Sequence, residues 1–205
     1  MTSSKISTIP VAELHERLVA ERPTPCEAVP YRNTDNWVGT WIDPGQKVVG
    51  EDGRTYAERA ITDHGQMLWM VHSPGRRYAF HASPQSADAA FAQAEDARRR
   101  RKAVARRWNE YKVLRRRIIL GRARLSVLVD DGREAGLCEV GIQGFLRRFG
   151  LHRQRAFSGR TLALLSFLDR QAGYAVLVAH DRHERASGAF RAASGSAPSV
   201  VQART

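Results

Sequence analysis

Lysine is scarce in this chain, with four residues against 29 arginines in a total of 205. Cysteine is scarcer. Cys26 and Cys138 stand 112 positions apart, with no CxxC and no Cys/His cluster around either. That spacing argues against a structural zinc site, and both read as small apolar residues rather than as a disulfide. No apolar run approaches the ~18 residues that a membrane span needs. The opening MTSSKISTIP lacks the basic, apolar and cleavage segments of a secretory signal, so a cytoplasmic location is expected. The phosphate-cradling patterns GxxxxGK[ST] and GxGxxG are missing, and so is the GxSxG nucleophile turn. On motifs alone, no catalytic site, metal or cofactor is expected.

One more absence is local. From Arg98 to Arg124 the chain reads RRRRKAVARRWNEYKVLRRRIILGRAR, where 13 of 27 residues are Arg or Lys and Glu110 is the one acid. This stretch carries +12, which is also the formal net charge of the whole chain. The remainder therefore balances, 20 basic residues against 20 acidic. A GC-rich coding bias explains arginine over lysine, but not why the uncompensated charge sits in one place. Clustered charge speaks about partners rather than fold. A planar guanidinium forks onto two phosphate oxygens. The expected partner is nucleic acid, DNA or RNA. The alternative is an interaction module docking on an acidic protein, and an accessory protein of a bacterial phage or mobile element fits either.

Composition is globular, with 42% apolar and 26% charged residues. A short helix is expected over residues 9–21, capped by Ser7 or Thr8, with Pro23, Pro25 and Pro30 making an extended connector. Residues 36–82 read as an antiparallel meander of three to five strands. NWVGTWID is the first strand, turning at Pro44-Gly45 into a short return strand, Lys47–Val49. Tyr56–Ile61, Met67–His72 and Arg77–Ala82 follow, the last two flanking Ser73-Pro74-Gly75. Trp37, Trp41, Tyr56, Trp69, Tyr78 and Phe80 supply bulk for a buried face.

Ser83 as N-cap and Pro84 in the first turn predict a long helix over 84–118, stopped by Gly121. Ala90, Ala94, Ala97, Val104, Trp108, Tyr111 and Ile118 form its apolar stripe, interrupted by Arg101 and Arg115. At 100° per residue Arg99, Lys102, Arg106 and Arg117 fall within about 60° of one another, away from Trp108. Phosphate contacts are assigned to Arg98, Arg99, Lys102, Arg106, Arg116 and Arg117.

Beyond this helix, residues 124–129 read as a buried strand and Asp130-Asp131-Gly132 as a turn. Val140 to Phe149 is helical, ended by Gly150-Leu151. Ser158 caps a helix whose Leu162, Leu164, Leu165 and Leu168 face inward and which Gly173 ends. Tyr174–Ala179 is a strand or a last helix, and from Ala186 the Ala/Ser/Gly-rich tail reads as disordered. The fold class is α+β: a meander packed on a long basic helix, then a mostly helical half. The expected divisions are 1–35, 36–120, 121–185 and a tail, 186–205.

Residues 65–92 carry Gly65, a strand, the Gly75 turn, a second strand, and Ala89-Ala90 with Ala92 on a helix. This layout resembles the three-strand-plus-helix DNA-binding modules of the ethylene-response-factor and integrase-arm type. The resemblance implies a sheet laid in the major groove, although His81 and Ser83 depart from the usual end of the last strand. The helices around Gly150 are similar in order to a helix-turn-helix, with a longer connector, Leu151–Phe157. A metal-dependent nuclease is the third reading, with Asp130, Asp131 and Glu134 as carboxylates beside the basic stretch. His64, His72, His81, His180 and His183 read as surface histidines rather than ligands.

Overall fold

A computed structural model of the protein describes residues 29–30, 40–62, 66–76, 78–82 and 86–194, with the backbone alone at 29–30, Pro44 and 188–194. The expected helix over 9–21, Cys26, Trp37, His64, Gly65, Ser83 and everything past Ser194 lie outside the described residues. The chain is α+β, and its residues divide into two compact units. The first takes the described residues up to Ala103 together with Gly136–Gln154. The second takes Val104–Ala135 and the chain from Arg155 onward.

The first unit is built on a five-stranded antiparallel sheet in the order β1 (Val29–Pro30), β2 (Thr40–Val49), β3 (Tyr56–Thr62), β4 (Met67–His72), β5 (Phe80–Ala82). Every strand pairs with its neighbour in sequence, as a meander requires. β4 spans the six residues its apolar pattern marks. β5 is shorter than the expected Arg77–Ala82, and β1 falls in what reads as connector.

The Pro44-Gly45 turn does not reverse the chain. β2 runs straight through it, with Asp43 opposite Arg59 and Lys47 already opposite Glu58. Three residues bulge out. Proline has no N–H to give the ladder, and Gly45 N–H instead donates to Oδ1 of the buried Asp43 at 3.0 Å.

Helix α1 (Ala87–Arg106) lays Ala90, Ala94 and Ala97 against Ala57, Trp69, Val71, Phe80 and Ala82 of the sheet. The opposite side of the same strands buries Ala60, Leu68 and Met70, with Val140 against them. β4 is thus buried on both faces, Trp69 and Val71 on one and Leu68 and Met70 on the other. A strand so placed cannot present its side chains to a groove, which removes the sheet-in-groove expectation for residues 65–92.

The long basic helix is two helices. α1 ends at Arg106, and α2 (Trp108–Ile119) follows. At the junction Arg107 leaves helical geometry, with φ −90° and ψ 18°, and its N–H bonds three residues back to Val104 at 3.0 Å. A helical wheel therefore cannot be carried from Arg99 to Arg117.

In the second unit, β6 (Ser126–Leu128) pairs antiparallel with β7 (Ala156–Ser158), and each strand runs directly into a short helix. After β6 comes α3 (Val129–Glu134), where a turn was expected. In the first unit Cys138 caps α4 (Glu139–Arg148). After β7 comes α5 (Gly159–Leu165), with Ser158 Oγ accepting from Arg160 N–H at 3.2 Å. Because β7 stands between α4 and α5, the two are not a helix-turn-helix pair.

Gly121 and Gly150 end α2 and α4 as expected. Each has positive φ, and each helix closes with a 6→1 bond, Arg122 N–H to Arg117 and Leu151 N–H to Leu146.

The last helix, α6 (Arg170–Ser194), passes through Gly173 and continues through Ala186, so neither the expected stop nor disorder over 186–194 holds. It is a helix, not a strand, over Tyr174–Ala179. Leu162 faces inward as expected and Leu165 is half-buried. Leu164, at 49%, and Leu168, at 75%, are exposed, because α5 is too short to turn more than one narrow stripe inward.

Candidate nucleic-acid interface

The basic stretch is best understood by asking which of its charges the fold uses. In the first unit Asp96 pairs with Arg100 and lies 3.7 Å from Arg99. The guanidinium of Arg101 sits 5.4 Å from the Phe80 ring centre. This explains why an arginine interrupts the apolar stripe: the half-buried Arg101 brings its guanidinium over an aromatic face. Arg98 and Lys102 are exposed, with no ionic partner among the described residues.

In the second unit Arg107 is committed to structure. Its Nη1 and Nη2 grip Asp181 at 2.5 and 3.0 Å, and its Nε reaches Glu110 at 2.8 Å. The bond to Asp181, supported by Glu110, holds its guanidinium even more firmly protonated than usual. Arg115, the second interruption, lies 4.0 Å from the Phe167 ring centre and 5.7 Å from that of Tyr111. Trp108 is half-buried rather than buried, with Tyr111 and Tyr174 beside it and Arg170 stacked at 4.3 Å.

Arg106, Arg116 and Arg117 are exposed and lack an ionic partner among the described residues. Arg122, Arg124, Arg155 and Arg160 share that state and were not marked by the sequence pattern as contacts. Two backbone bonds link the segments that carry three of them. The cap of α2 bonds Arg122 N–H to Arg117 O at 2.8 Å, and Gly159 N–H bonds Leu125 O at 2.7 Å. The β6–β7 pairing therefore sets Gly159, the residue before Arg160, against Leu125, the residue after Arg124. Arg160 lies outside any charge run, so the one available signal was the Ser158 cap beside it.

The acids show the same economy. Val104–Ala135 and Arg155–Ser194 hold 15 Arg or Lys and seven Asp or Glu. Asp130 pairs with Arg133, Asp131 with Arg182, Glu134 with Arg185, and Glu110 and Asp181 with Arg107. Asp169 accepts from Gln171 N–H, and Glu184 lies 3.9 Å from His180. Five of the seven acids are thus paired with arginines, which leaves the exposed cations in excess among the described residues.

The three carboxylates of the nuclease reading are each turned to a guanidinium. Asp131 is 1% exposed. It accepts from Leu128 N–H at 2.7 Å and from Arg182 Nε and Nη2 at 2.8 and 2.9 Å. Among the described residues no three of His, Cys, Asp and Glu converge as a metal site. His72 meets Glu58 at 3.0 Å, and His81 Nδ1 lies 3.7 Å from Cys138 Sγ. Burial pushes the Cys138 thiol up and lowers His81 to about 4, the opposite of an activated thiolate–imidazolium pair. Among the described residues no helix is long and apolar enough to cross a membrane.

No family model, curated protein or solved structure matches this chain.

Proposed function

We propose that the protein binds nucleic acid without catalysis, gripping phosphates through the exposed arginines of its second unit. One observation carries this reading. Arg106, Arg116, Arg117, Arg122, Arg124 and Arg160 stand exposed without an ionic partner among the described residues, while five of the unit's seven acids are paired with other arginines. A solvated surface usually mixes signs, and leaving this many like charges without a counter-ion costs self-repulsion that a polyanion relieves. Arg98 and Lys102 of the first unit are proposed as further phosphate contacts, whereas Arg99 lies 3.7 Å from Asp96. Such contacts give affinity and position rather than sequence preference.

The test is binding of the full chain to a short duplex of arbitrary sequence, by fluorescence anisotropy over a salt series. Each neutralised phosphate contributes about −0.9 to the slope of log affinity against log salt, so six contacts imply about −5. Changing Arg122, Arg124 and Arg160 to Glu should abolish binding at moderate salt without altering the circular dichroism spectrum. Undiminished binding by a folded triple variant would refute the reading.

A further inference from the structure

The outward side of α2 has a composition that phosphate binding does not require. Tyr111, Leu114 and Ile118 fix its buried side. At 100° per residue, Asn109, Lys112, Val113, Arg116 and the capping residue Leu120 fall within about 100° of one another on the opposite side. All five are exposed, and two of them are branched aliphatics, Val113 at 64% and Leu120 at 55%. Lys112 Nζ lies 3.4 Å from Asn109 Oδ1. Glu110, at the margin beside Arg117, is held by Arg107. The helix thus offers an amide, two aliphatic groups and cations on one surface, with further arginines just beyond each end, Arg106 before it and Arg122 and Arg124 after it.

A phosphate ladder alone would leave Val113 and Leu120 against water. A surface with anions at its rims and both apolar groups and hydrogen-bonding edges between them would not. The major groove of duplex DNA is such a surface, and at about 12 Å wide it admits a helix. A second copy of this chain is a poor occupant, because a two-fold contact would set Lys112 and Arg116 against like charges. We infer that α2 enters the major groove of duplex DNA and reads base edges with Asn109, Val113 and Arg116. Asn109 has the two-pronged amide that pairs with adenine N6 and N7. Arg116, which this inference moves from phosphate to a base edge so that five arginines of the unit remain on phosphates, has the fork that pairs with guanine O6 and N7. Val113 offers the apolar contact that a thymine methyl accepts. The helix is about 18 Å long at 1.5 Å per residue, which spans roughly five base pairs.

The inference rests on the nucleic-acid reading above, and the two fail separately. The full chain would select from a duplex library with a randomised centre, and affinities for the enriched sequence and for an unrelated duplex would then be measured. The expected result is a short enriched motif. On that motif, Asn109→Ala and Arg116→Lys should each lose about 5- to 150-fold in affinity, the worth of one bidentate base contact. Binding to the unrelated duplex should barely change, since neither variant alters charge. Salt-dependent binding with no enriched motif would overturn the reader and leave the phosphate reading intact. Equal affinity for double-stranded RNA of the same sequence would also overturn it, because that major groove is too narrow to enter. Failure to bind any nucleic acid, with binding to an acidic polypeptide instead, would sink both.

Discussion

The pairing of Asp131 with Arg182 is predicted to hold the second unit together, and its energetics can be separated from simple charge. Asp131 is 1% exposed and its partner's side chain 39%. The carboxylate satisfies Leu128 N–H at the start of α3, as an N3 acid does in a capping box, and receives two bonds from Arg182. Arg182 Nη2 also donates to Ser126 O of β6 at 2.8 Å. One ion pair therefore joins β6, α3 and α6.

Arg182→Met keeps most of the stem and removes the guanidinium, which strands a buried carboxylate. Breaking a buried pair from one side costs about 3–5 kcal/mol, and the partial exposure of Arg182 brings the expectation to the lower end, about 3. Asp131→Asn should cost less, about 1–2 kcal/mol, because its amide oxygen still accepts from Leu128 N–H and Arg182 can turn to water. The double variant should be more stable than Arg182→Met alone, since the stranded charge is gone. Hydrogen exchange by mass spectrometry over 126–135 would give these costs, with 56–72 of the first unit as the internal control. The reasoning fails if Asp131→Asn costs more than Arg182→Met, or if both units lose protection equally.

Two further outcomes follow from packing and burial. A Cβ on Gly173 would lie 2.7 and 2.8 Å from the buried Tyr111 ring and 2.9 Å from Trp108. Neither ring can retreat easily, with Tyr111 also bonded to Ser166 at 2.5 Å, so Gly173→Ala should destabilise by about 1–3 kcal/mol, measured by urea denaturation. His81 is lowered to about 4 by burial, with His72 adding to the effect. Above pH 6.5 the group is neutral folded or unfolded and contributes nothing to pH dependence. As pH falls from 6.5 towards 4 the unfolded chain takes up the proton first and stability is lost, by at most about 3 kcal/mol. His81→Gln should flatten part of that acid limb in melting curves, and an unchanged limb would refute the assignment.

What could be read from the sequence is what local chemistry decides. Met67–His72 is apolar enough to be a strand on either face. Gly150-Leu151 and Ser158 are caps, because a left-handed glycine and a hydroxyl at a helix start satisfy backbone groups without help from distant residues. The misreadings share the opposite character. Pro44-Gly45 has the look of a reversal, and whether it reverses or bulges depends on β3 continuing its pairing beyond Asp43. Ala156–Ser158 is too short to show alternation and is a strand because Ser126–Leu128 lies opposite. The tail past Ala186 has no apolar stripe. Even so, its first nine residues continue a helix already nucleated by the buried Ala172–Ala179 segment, and alanine propagates a helix at least cost.

The same distinction governs the basic stretch. Thirteen cations can be counted in sequence, but the count overstates what is free to bind. Asp96 engages Arg99 and Arg100, Asp181 and Glu110 engage Arg107, and the Phe80 and Phe167 rings lie beneath Arg101 and Arg115. Asp181 is 74 residues from Arg107, so no local pattern could announce the pairing. Conversely, Arg160 is exposed without an ionic partner among the described residues, although no charge run marks it. Charge density along a chain thus marks a cationic segment, while the pairing of distant acids and rings decides which of its guanidinium groups stay free. Among the described residues Arg98, Lys102, Arg106, Lys112, Arg116, Arg117, Arg122 and Arg124 of this stretch are left without an ionic partner, and it is the arginines of the second unit among them, with Arg160, whose reversal should remove binding while leaving the fold.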